Sequence, residues 1–223
     1  MEDNFLELKE YIEQLENYTL PDYKEISQIP LYMEQVIGYI DEVLAPLSQR
    51  KEGSETVITP FMVNNYVKAK VLTAPKNKKY NKEQIAYLLA ICLLKKSASM
   101  KDIATLIELD HFLEDDKQKL YTMFKNLQDD ILKQQAHKVK VRLETLEKAG
   151  KKKQDKLEEN LNLSLIALRL YIESEISKTI AESILDKISK DVLPSEALKP
   201  SKKVNALENK KEHKEAKKLS SRK

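Results

Sequence analysis

Residues 59–80 read TPFMVNNYVKAKVLTAPKNKKY, and the way this stretch folds decides what surface the chain presents. Thr59 before Pro60 is a helix start, because a threonine hydroxyl can accept a hydrogen bond from the first turn and proline lacks only an N–H that the turn leaves unpaired anyway. From Pro60 to about Ala69, helical spacing puts Met62, Val63, Tyr66 and Ala69 on one side and Phe61, Asn64, Asn65 and Lys68 on the other. The first side is expected to pack and the second to be presented. Residues 71–80 have no helical period and contain Pro75 and Asn77, so a turn or a small β-wing is predicted there. An asparagine amide can make paired hydrogen bonds to adenine in a major groove, and lysines hold phosphates. Asn64, Asn65 and Lys68 are therefore candidates for reading bases, and Lys70, Lys76, Lys78, Lys79 and Tyr80 for holding the backbone of double-stranded DNA. Tyr80 can equally be a core residue, and Tyr66 is expected to face inward.

The charge pattern singles out the same segment. Net charge is +3 overall, but residues 1–58 carry 4 basic and 13 acidic side chains, whereas residues 59–101 carry 9 lysines and the single acid Glu83. Residues 102–194 are near balance, and the tail from Ser195 is Lys-rich and nearly without large apolar side chains. A basic block beside an acidic one is the electrostatic footprint expected of a nucleic-acid contact. The tail is predicted to be disordered or frayed.

Working outward, the chain is poor in helix breakers: it has 3 glycines, and of its 7 prolines only Pro194 and Pro200 follow Pro75. Helix should dominate. Phe5, Leu8, Ile12 and Leu15 mark an N-terminal helix ending before Leu20-Pro21, and Met33, Val36, Ile37, Ile40 and Leu44 mark another over 30 to about 48. Residues 49–56 read as a loop. Asn81 with Gln84, and Ser99 with Asp102, are start signals for two short helices. Leu120, Phe124, Leu127, Ile131, Val139, Leu143 and Leu146 trace one face of a long helix ended by Gly150 and Lys151 to Lys153. The last helix stops before Pro194 and has two stripes. The main one is Leu161, Leu165, Leu168, Ile172, Ile176, Ile180, Ile184 and Ile188; the second is Leu163, Ile166, Leu170, Ala181 and Leu185. So wide an apolar arc is buried either in the protein's own core or against another subunit.

Thr59 to Tyr66, then Lys78-Lys79-Tyr80, then Gln84-Ile85, then Met100 to Ile103 resemble in order and spacing the pattern of MerR regulators. There the first segment is a recognition helix ending in an aromatic pair, the second a wing, and two helices pack behind. Asn64 to Lys68 and Lys78 to Tyr80 also look like the Asn-Asn-Tyr-Val-Lys and Lys-Lys-Tyr motifs of an uncharacterised bacterial family, domain of unknown function 1836. The resemblance runs from Leu20 to about Leu109. Asn64 stands where MerR proteins have an arginine, and Lys70 where they have a glycine before the wing. It implies a mainly α fold, a MerR-like winged helix-turn-helix followed by long antiparallel helices.

The organisation expected is thus an N-terminal helix over 1–19, a DNA-binding domain over 20–110, a long-helix bundle or dimerisation region over 111–194, and a basic tail over 195–223. No Ser/His/Asp, Cys/His or Gly-rich phosphate loop is present, so no enzyme is expected. Cys92 excludes an internal disulfide, and His111, His137 and His213 give no zinc spacing, so neither metal nor cofactor is expected. The acidic start argues against a secretory signal, and charges interrupt 161–185, the most apolar run, so no membrane span is expected and the protein should be cytoplasmic, on the nucleoid when bound. The function expected is sequence-specific, DNA-binding transcriptional regulation, with double-stranded DNA as partner and a possible homodimer through 111–194. The rival is a helical adaptor that binds another protein.

Overall fold

The computed structural model describes residues 2–48, 56–113, 116–150 and 156–192. Residues 49–55 of the expected loop, the lysines at 151–153 and the tail from 195 lie outside the described residues. The chain divides into two compact units, 1–182 and 183–223. The described part of the second is the end of the last helix.

Helix is the dominant element. In chain order the described residues hold α1 (Glu2–Asn17), β1 (Leu31–Tyr32), α2 (Met33–Leu44), α3 (Pro60–Lys68), β2 (Lys79–Tyr80), α4 (Lys82–Leu94), α5 (Met100–Leu113), α6 (Lys117–Gly150) and α7 (Lys156–Val192). The three predicted starts are real caps. Thr59 Oγ1 accepts from Met62 N at 3.3 Å, Asn81 Oδ1 from Gln84 N at 2.9 Å, and Ser99 Oγ from Asp102 N at 3.1 Å. The predicted second helix begins later than Pro30, because Leu31 and Tyr32 are extended and pair antiparallel with Tyr80 and Lys79. β1 and β2 form the two-stranded sheet that anchors the wing.

The main core gathers around α4, which is apolar on nearly every side and buries Ile85, Leu88, Leu89, Ile91 and Cys92. Against it lie Val36, Ile40 and Leu44 of α2, Val63 and Tyr66 of α3, Ile103 of α5 and Tyr121 of α6. Cys92 is buried there as a small apolar residue. A second, smaller core joins Ile12 of α1 to Ala136, Val139 and Leu143 of α6, with Leu163, Ile166 and Leu170 of α7 packed on it.

One predicted face needs correction, and on the last helix the two apolar stripes part company. On α6, Val139 and Leu143 are buried as expected, but Leu127 and Ile131 of the same predicted face are exposed, and Tyr121 and Ala136 are buried in addition. The helix serves two cores in succession, so its apolar face does not stay on one line. On α7 the narrower stripe, Leu163, Ile166 and Leu170, packs in the second core, while Leu161, Leu165, Leu168, Ile172, Ile176 and Ile180 are each at least 50% exposed. The acids of α1 are met by α6: Glu16 pairs with Lys140 at 2.8 Å and with His137 at 2.8 Å, and Lys9 pairs with Glu147 at 2.7 Å.

These contacts set a pH dependence. Hydrogen bonds from Lys140 and then His137 hold the Glu16 carboxyl below its usual range. A carboxylate lowered on folding stabilises the folded state fully above its unfolded pKa, and the gain is lost as pH falls through the lowered value. Protection of the α1 amides from hydrogen exchange, taken relative to the intrinsic rate at each pH, should therefore fall in acid, and Glu16→Gln should lower it already at neutral pH while leaving α4 protected.

Candidate nucleic-acid interface

The stretch that opened the sequence reading folds as one connected unit, α3, a reversing link and a tight hairpin. α3 buries Val63 and Tyr66, with Met62 partly buried beside them, while Phe61, Asn64 and Lys68 are exposed and Asn65 is half-buried. The division of the helix into a packed and a presented side therefore holds, except at Ala69. That residue was expected inside but is exposed as the residue that ends the helix. Burial raises the Tyr66 phenol to about 12, so it stays protonated in the core.

The end of α3 is a Schellman motif. Lys70 N donates to Val67 O at 3.1 Å and Val71 N to Tyr66 O at 3.0 Å, with Lys70 in the left-handed region at φ 60°. This is the position where the resemblance placed a glycine. A left-handed conformation costs a residue with a side chain about 1 kcal/mol, and glycine almost nothing. Val71 and Leu72 then turn into the core and redirect the chain.

The predicted wing is a two-residue hairpin turn. Lys76 and Lys79 exchange backbone hydrogen bonds at 3.1 and 3.0 Å, and the residues between them, Asn77 and Lys78, have φ of 53° and 61°. Positive φ at both central positions marks a type I′ turn, for which Asn-Gly is the favoured pair. Here lysine occupies the glycine place. Lys76 and Lys78 are exposed at the tip, and the Lys79 amine sits 4.7 Å from the centre of the Tyr32 ring, a cation–π contact across the sheet.

The hairpin root is held by Gln84, which is 4% exposed. Its Nε2 donates to Thr73 O at 2.9 Å, Thr73 Oγ1 at 3.1 Å and Ala74 O at 3.1 Å, and its Oε1 accepts from Asn81 N at 2.8 Å. One amide thus closes the cap of α4 and ties the link between α3 and the hairpin to that helix.

Of the eight predicted DNA-contacting residues, Asn64, Lys68, Lys70, Lys76 and Lys78 are exposed, and Asn65 and Lys79 are half-buried. Tyr80 is corrected. It is 2% exposed, because its place in β2 turns the ring toward the core, and burial raises its phenol pKa. It anchors the wing instead of meeting a phosphate. Lys95 also points inward, its amine donating to the Val57 carbonyl. Among the described residues no ion pair involves Lys68, Lys70, Lys76 or Lys78, and Glu13 and Glu16 of α1 are engaged with α6 instead.

The helix-turn-helix resemblance is looser than expected. The connection from α2 to α3 takes all of residues 45–59, including a 3-10 turn at Ala45–Leu47. A helix-turn-helix joins its helices by a turn of about 3–4 residues. Among the described residues there is no cluster of His, Cys, Asp and Glu able to hold a metal ion, and no helix long and apolar enough to cross a membrane.

The left-handed lysines give a direct test. Lys70→Gly or Lys78→Gly should stabilise the fold by roughly 0.5–1 kcal/mol, because the steric strain outweighs the extra freedom glycine has in the unfolded chain. In thermal unfolding each should raise the midpoint by about 2 °C. An unchanged or lower midpoint would show that the left-handed backbone is not strained by the side chain.

Neither a curated protein nor a solved structure gives a significant match to the chain. Residues 21–127, which run from just before Asp22 through α2, the basic unit and α5 into the first third of α6, match the family model described as a domain of unknown function (DUF1836).

Proposed function

We propose that the protein is a sequence-specific DNA-binding regulator that lays α3 in the major groove and its hairpin on the adjacent phosphates. The observation that carries the reading is the pair Lys70 and Lys78. Each holds a left-handed backbone where glycine would be less strained, and each extends an exposed ammonium group. Strain kept where a simpler residue removes it points to a use for the side chain. Exposed Lys68 and Lys76 supplement that charge, and the amide of Asn64 is the group suited to reading a base edge. The order α3, hairpin, α4, α5 resembles that of MerR regulators, and Phe61 on the presented side would serve as an apolar contact for a thymine methyl.

If DNA is the ligand, each phosphate contact releases counterions and affinity falls steeply with salt. Selection of bound fragments from random duplexes should enrich one motif, and Asn64→Ala should relax its base preference. Lys76→Ala and Lys78→Ala should weaken all sequences alike and each reduce the salt slope by about 1. Enrichment of no motif, or a salt slope indifferent to both lysines, defeats the proposal.

The exposed ridge of α7 supports a homodimer within the same reading. Residues 161–180 rise about 30 Å along the helix, and the ridge carries six half-exposed Leu and Ile side chains. Its charged flanks are mixed in sign, with Arg169 paired to Glu173 at 2.7 Å, so a second copy meets no single-sign repulsion. A two-fold pair would bring two copies of α3 to a palindromic site. Sedimentation should show a dimer that Leu168→Glu with Ile172→Glu converts to a folded monomer. A wild-type monomer at micromolar concentration favours the rival reading, in which the same ridge makes the protein an adaptor for a different helical partner.

A further inference from the structure

Behind the basic unit, α4, α5 and α6 leave between them a cavity of about 320 Å³ that opens to solvent beside Leu106 and Leu127. Its walls include Ala86, Ala90 and Ile91 of α4, Ile103 of α5, and Leu120 and Phe124 of α6. An engineered apolar cavity of about 150 Å³ already admits benzene, and small-molecule sites begin near 300 Å³. The depth comes from Ala86 and Ala90, one helical turn apart, in a helix whose other positions carry larger side chains.

Two features define what fits. Tyr23 and Tyr121 lie 5.8 Å apart between ring centres, and Tyr121 and Phe124 6.5 Å apart, so one wall is a run of tilted aromatic rings. Such a wall suits a flat ring system, which can pack edge to face against it. The charged groups on the lining are one acid and one base, Glu83 and Lys117. Their opposite signs give no net attraction for an anion or a cation. The phenol of Tyr121 is already committed, donating to Pro21 O at 3.0 Å.

We propose that this cavity is a binding site for a compact, neutral, aromatic small molecule of two or three fused or linked rings. The proposal does not depend on DNA binding. It concerns a different face of α4 from the one that holds the hairpin.

The test uses the full chain and the neutral dye N-phenyl-1-naphthylamine, whose fluorescence rises in apolar surroundings. Saturable binding of one dye per chain is expected, displaced by naphthalene and not by decanoate. Ala90→Trp should fill the space, keep the helical circular dichroism and lower dye affinity at least tenfold. Leu106→Trp, at the α5 wall, is a second filling variant should the first not fold, and in both the tryptophan is the chain's sole one. Leu168→Glu with Ile172→Glu, on the exposed ridge of α7, should leave dye affinity unchanged. Absence of saturable binding, binding kept in both filling variants, or binding lost in the ridge variant overturns the assignment. Displacement by decanoate but not naphthalene overturns the ligand class.

Discussion

The link between α3 and the basic hairpin is fixed to α4 by one group, the side-chain amide of Gln84. That amide makes four hydrogen bonds, donating three to Thr73 and Ala74 and accepting one from Asn81 N at the cap of α4. In a buried setting such an amide is stable only when its donors and acceptor are all used, so the network is satisfied as a whole or not at all. Tyr80 completes the mount from the other side, with its ring in the core and its backbone paired to Leu31. The lysines are therefore displayed on a rigid support. Their exposure is a consequence of what their neighbours bury.

That support explains why an acidic N-terminal helix and a strongly basic segment coexist without cancelling. Unlike charges attract, and a flexible α1 would be drawn to Lys68, Lys70, Lys76 and Lys78. Instead Glu13 and Glu16 are engaged by Lys140 and His137 of α6, and the apolar side chains of α1 occupy the second core. α6 is long enough to serve both cores. Tyr121 near its start packs with α4, and Lys125 and Asp129 tie Leu20 and Asp22 to it, while Val139 and Leu143 receive α1. The Lys125 ammonium is stabilised in its charged form chiefly by the hydrogen bond to Asp129.

α4 is central to the main core, the mount of the hairpin and the cavity. One face fills the main core, its first turn fixes the hairpin, and its alanine positions front the cavity. A helix apolar on nearly all sides has no solvent face of its own, so every neighbour rests on it. Any change in what packs beside Ala86 and Ala90 acts on the helix that carries Gln84.

Local chemistry was legible in the residues alone. The caps at Thr59, Asn81 and Ser99 involve partners three residues apart, and the packed side of α3 follows from helical period, so no distant contact is needed to read them. The wing was legible as a turn, from Pro75 and Asn77. What the tertiary structure alone decided is everything set by distant partners. Tyr80 could have faced solvent or core, and its pairing with Leu31, 49 residues earlier in the chain, chose the core. The handover of α6 between two cores displaced Leu127 and Ile131 to the surface, and the choice of which α7 stripe packs inward left the wider one bare. The cavity was invisible for the same reason: its walls come from separate helices, and the spacing of apolar residues along one helix says which side is buried but not how well the facing side chains fill the space between.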